Sequence, residues 1–77
     1  MLKNIAARVA MEASRNGLNP NTIAGAMALM GNIPDDLFRE MDSLSPDDLL
    51  EVLSEAGYQY DCYRSVAQCI SMLGGSL

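Results

Sequence analysis

The chain has 77 residues, a formal charge of −5 and no histidine. That leaves room for one domain with one hydrophobic core, and it removes the commonest general base, every Ser-His or Cys-His nucleophile pair and the usual zinc sites. No apolar run approaches the roughly 18 to 20 residues of a membrane span, and Arg8 and Glu12 interrupt the N-terminal stretch that a secretory leader would keep apolar, so the expectation is a soluble, cytoplasmic protein without catalytic residues, metal or cofactor.

Apolar residues make up 49% of the chain, yet Phe38, Tyr58, Tyr60 and Tyr63 are the only aromatic ones. The core must therefore come from Leu, Ile, Val, Met and Ala, a helix-forming set. Gly17, Gly31, Gly57 and Gly74 each follow a helical run, where a left-handed cap belongs, while Pro20, Pro34 and Pro46 stand where a first helical residue belongs. The expected fold is all-α, a compact orthogonal bundle of about five short helices near residues 2–16, 20–30, 34–42, 46–56 and 61–73. Residues 1–77 read as a single helical domain with a frayed tail over 74–77.

The first segment sets Leu2, Ile5, Ala6, Val9 and Ala13 on one stripe, flanked by Arg8, Glu12 and Arg15. The second reads Ile, Ala, Gly, Ala, Met, Ala, Leu, Met from Ile23 to Met30. No face of it asks for water, so it is either the wrapped centre of the bundle or a contact surface at Ala24, Met27 and Ala28 for another copy or another protein. The third buries Leu37 and Met41. In the fourth, Ser45 caps, Pro46 takes the first helical position, Asp47 and Asp48 face the positive helix end, and Leu44 staples onto Leu49. Its inner face is Leu49, Val52, Leu53 and Ala56, with Leu50 at the edge. The fifth opens at Asp61 as cap and aligns Cys62, Val66, Cys69, Ile70 and Leu73, turning Arg64, Gln68 and Ser71 to water. Seven residues along one helix hold the two cysteines roughly 10 Å apart, too far for a disulfide.

Charge is uneven. Residues 35–61 carry nine acids against Arg39 alone, a local charge of −8, whereas the first 34 residues carry +2. Asp47, Asp48, Glu51 and Glu55 share the face of the fourth segment opposite its leucines, and Asp36 and Glu40 extend the acidic character into the third. Such a face suits a basic protein partner, which it would attract quickly and in a salt-dependent way. The same charges disfavour direct binding of nucleic acid.

Residues 22–41 resemble a helix-turn-helix in outline, with an apolar helix, Gly31 at the turn, and Leu37 and Met41 on the buried side of the second helix. The resemblance implies a transcription regulator working through residues 20–42. The reading helix would then open on Pro34, Asp35 and Asp36, setting carboxylates against phosphates. Asp42, Ser43 and Leu44 are similar to the Asp-Ser-Leu motif of acyl carrier proteins over those three residues. That resemblance implies Ser43 as the attachment site of a phosphopantetheine arm. In the carriers the serine opens a long acidic helix, whereas here the helix start belongs to Ser45 and Pro46.

The residues thus point to a small acidic helical interaction module, a regulator or inhibitor of another protein, with self-association into a homodimer as a companion property. Inhibition of a nuclease or another nucleic-acid-binding protein by charge mimicry is one form this takes.

Overall fold

The computed structural model describes residues 2–72, which form five helices: α1 (Leu2–Arg15), α2 (Ile23–Met30), α3 (Asp35–Asp42), α4 (Pro46–Glu55) and α5 (Tyr60–Met72). No strand occurs among the described residues, and the expected all-α bundle is the observed fold. The expected cap at Gly74, the inward position of Leu73 and the frayed tail lie outside those residues.

Helix α4 packs against both α1 and α5, α2 lies along α5, and α3 docks on α1. Two helix pairs, α1 with α4 and α2 with α5, are thereby stacked, with α3 attached at one side. Ile5, Ala6, Val9 and Ala13 of α1 close over Leu49, Val52 and Leu53 of α4, and Cys62, Val66 and Ile70 of α5 complete the core with Ala26, Leu29 and Met30 of α2. Leu37 and Met41 bury the inner side of α3. The extents of 27 × 25 × 23 Å are nearly equal, as expected when no helix among the described residues exceeds 14 residues.

The ends of α1 and α4 repeat one device. Gly17 and Gly57 adopt positive φ, 67° and 98°. The following amides reach back, Leu18 N–H to the Ala13 carbonyl and Tyr58 N–H to the Leu53 carbonyl, each at 2.8 Å. Both ends therefore close in the Schellman pattern, and Leu18 and Tyr58 are turned onto the core. The start of α4 is likewise as expected, with the Ser45 hydroxyl accepting from Asp48 N–H and Pro46 in the first turn.

Four local expectations are corrected. Helix α2 begins at Ile23 rather than Pro20, because the Thr22 side chain accepts from Gly25 N–H and the Asn19 carboxamide oxygen accepts from Asn21 N–H at 2.9 Å, folding the preceding residues into a turn. Pro34 caps α3 in extended conformation instead of entering it. Gly31 is right-handed, φ −79°. It needs no left-handed cap because the Asn32 side chain donates to the Ala28 carbonyl at 2.7 Å and the amides of Asn32 and Ile33 take the Leu29 carbonyl. Asp61 lies inside the first turn of α5, which opens one residue earlier, and the Gln59 carbonyl accepts the first helical bonds.

Two substitutions test this packing. Leu53 is fully buried where α4 meets the core, and Leu53→Ala should cost about 2 to 4 kcal/mol in chemical denaturation. Gly25 lies so near the Asn19–Thr22 turn that a Cβ would overlap the Asn19 carbonyl oxygen and crowd the Thr22 hydroxyl. Gly25→Ala should therefore lower stability by about 1 to 3 kcal/mol, although alanine is the better helix former; a melting temperature at or above wild type would show that the turn yields.

Candidate protein-binding surfaces

The six acids expected on the binding face fall into two groups. Asp36 and Glu40, one turn apart on α3, share a single cation: Arg8 of α1 donates to Asp36 at 2.9 Å and reaches Glu40 at 3.4 Å. The guanidinium bridges the carboxylates across two helices and relieves their mutual repulsion, an exposed arrangement that contributes about 0.2 to 1 kcal/mol per pair. Arg15 pairs instead with Glu12 of its own helix at 3.5 Å.

Asp47, Asp48, Glu51 and Glu55 form the other group. Asp47, Glu51 and Glu55 are exposed and Asp48 is partly buried. Among the described residues no cation pairs with any of them. Glu51 and Glu55 thus keep the like-charge repulsion that Arg8 relieves on α3. A shallow groove runs along this face, lined by Asp47, Leu50, Glu51, Glu55 and Tyr58 among others, so carboxylates rim a strip with an apolar floor.

Tyr58 was not legible as part of this region except through its place after Gly57, where a residue turned onto the core is expected. It is 4% exposed, and its hydroxyl is buried without a hydrogen-bond partner among the described residues. Burial, and next the neighbouring Cys62, push the phenol above its ordinary value of about 10. The Cys62 thiol donates to the Pro20 carbonyl at 3.5 Å, tying the α1–α2 connection to the start of α5. Both cysteines are free thiols.

The apolar contact expected at Ala24, Met27 and Ala28 resolves into an exposed part and a shared part. Ile23 is 49% exposed, Met27 54% and Met72, at the end of α5, 77%. Ala24 is exposed and Ala28 partly buried. Helix α2 is therefore not the wrapped centre of the bundle: Gly25, Ala26, Leu29 and Met30 face inward while the opposite side meets solvent. Met27, Met30, Gly31, Cys69 and Met72 surround a small, almost wholly apolar recess at the junction of α2 and α5.

Ser43 closes α3 rather than opening a helix, and its hydroxyl donates to the Glu40 carbonyl at 2.8 Å. In the helix-turn-helix outline, α3 would be the reading helix; its Asp35, Asp36, Arg39 and Glu40 are all exposed. Among the described residues no helix is long and apolar enough to cross a membrane.

The orphaned phenol carries a prediction. The neutral form of Tyr58 is the one the fold accepts, so its contribution to stability is complete below the unfolded value of about 10 and is lost as pH rises through the higher folded value. Tyr58→Phe removes the unpaired hydroxyl and should leave stability at neutral pH unchanged or raised by up to about 1.5 kcal/mol, while moving alkaline unfolding to higher pH. Thermal melts at pH 7 and above pH 10 measure both; a loss at pH 7 would mean that the hydroxyl has a partner.

No protein-family model, curated protein or solved structure matches this chain.

Proposed function

We propose that this chain is a non-catalytic, cytoplasmic protein-binding module, a regulator or inhibitor that docks a basic protein against the outer face of α4. The observation that carries the reading is the contrast between the two acid groups. Arg8 meets Asp36 and Glu40, whereas Asp47, Glu51 and Glu55 line a groove, Asp48 is half-buried on the same helix, and among the described residues no cation pairs with any of the four. Retaining four acids there costs the isolated protein some self-repulsion. A partner with clustered Lys or Arg would relieve it and associate quickly at low salt. A nuclease or another nucleic-acid-binding protein offers such a surface, and occupying it would exclude its ligand by charge mimicry.

The rival reading, a DNA-binding regulator using residues 20–42, requires α3 to approach phosphates with Asp35, Asp36 and Glu40 exposed. Parallel retention assays on duplex DNA and on immobilised basic proteins separate the two. Self-association through the uncharged side of α2 accompanies the docking reading as a second surface.

Replacing Glu51 and Glu55 with glutamine should leave helicity intact and stability equal or a few tenths of a kcal/mol higher. It should slow association with the basic partner, most visibly at low salt. Stopped-flow or surface-based kinetics at two salt concentrations measure this, and an association rate indifferent to both the substitutions and the salt would overturn the α4 reading.

A further inference from the structure

We infer that two copies of this chain pair through α2, antiparallel across a two-fold axis beside Met27, with the end of α5 completing the contact. The inference rests on the protein-binding reading only in naming the occupant of its second surface; it involves none of the α4 acids.

Around α2, at about 100° per residue, the exposed positions Ile23, Ala24, Met27 and Gly31 lie opposite the buried Gly25, Ala26 and Leu29, with the buried Met30 at the edge of the exposed stripe. No residue of α2 itself is charged, and Asp35, Arg39 and Asp42 of α3 line a separate recess at the Met30–Gly31 end. The other four helices all present ionisable side chains to solvent, Lys3 on α1, Asp35 on α3, Asp47 on α4 and Asp61 with Arg64 on α5. Charge decides which partner suits which surface. Across a two-fold axis each group lies near its own counterpart, so in a chain of charge −5 a symmetric contact through an acidic face sets carboxylate against carboxylate. The outer side of α2 avoids that cost. A basic partner, in turn, finds no opposite charge there.

Shape points the same way. A two-fold interface must be self-complementary, so one patch has to hold both the protrusion and the recess that receives it. An antiparallel pair of α2 helices centred on Met27 places Ile23 of each copy opposite Gly31 of the other. Ile23 protrudes, 49% exposed. Gly31 has no side chain and forms one wall of the recess made with Met30, Cys69 and Met72. Helix α2 is about 12 Å long at 1.5 Å per residue, too short to bury alone the roughly 800 Å² per partner of a standard interface. The contact would therefore have to extend onto the end of α5, where Met72, 77% exposed, lines the same recess as Met27 and Gly31. The surface required is under a fifth of the 4516 Å² that each chain exposes.

The test uses the full chain in sedimentation equilibrium over a wide concentration range, at low and high salt. Wild type should sediment at twice the 8.3 kDa chain mass and be indifferent to salt. Ala24→Glu buries an unpaired charge only in the dimer, since Ala24 is exposed in one chain. It should sediment as a monomer with wild-type helicity. Gly31→Leu fills the recess from a right-handed position that accepts a side chain, where a Cβ meets only ordinary contacts at 3.6 and 3.8 Å, and should weaken dimerisation at least tenfold without unfolding the chain. A monomeric wild type, or a dimer that survives both substitutions, overturns the inference. The Glu51→Gln and Glu55→Gln variants should remain dimeric, so loss of basic-partner binding and loss of the dimer are read separately.

Discussion

Burial of one face of α4 organises the bundle. Leu49, Val52 and Leu53 have no exposed surface, and α4 touches both α1 and α5, through which α3 and α2 are held in turn. With few aromatics available, this contact has to be made from branched aliphatic side chains, whose contribution depends on close packing over many small contacts rather than on a few large anchors. The Ser45 cap and the Gly57 turn define where α4 begins and ends, and so fix which of its residues enter the core.

The same packing decides the electrostatics. Because the leucine face is committed to the core, Asp47, Glu51 and Glu55 are held outward on a helix that cannot rotate to relieve them. On α3 the situation differs, since Arg8 reaches across from α1 to a pair of carboxylates with the same four-residue spacing. Similar sequence patterns therefore have opposite electrostatic outcomes, and the difference comes from a residue 28 positions away from the nearer acid.

That distinction marks what the sequence can convey. Local chemistry was legible: the Ser45–Pro46 start, the left-handed glycines at 17 and 57, and the inner faces of α1, α4 and α5 all follow from neighbouring residues. Pro20 does not mark the start of α2 because proline suits both a first helical turn and the turn before it, and Thr22 supplies the stronger cap. Gly31 does not adopt the expected left-handed cap because the Asn32 side chain takes over its task. The acids of the candidate surface were visible as a run, but their division by Arg8 was not, since periodicity says nothing about contacts between helices. Whether α2 is wrapped or open was equally beyond reach, as eight uncharged residues fit either place.

The attachment of α3 has a kinetic meaning. It is eight residues long, opens at Pro34 without a side-chain cap, and is held mainly on α1 by Leu37, Met41 and the Arg8 bridge. Helix α4, in contrast, packs on both α1 and α5 and cannot open without uncovering both. Amides of α3 should therefore exchange with solvent through a local opening that leaves the other helices in place, whereas those of α4 wait for the whole chain to unfold. On this expectation the bridged acids ride on the part of the bundle that opens first, at the cost of uncovering Leu37 and Met41.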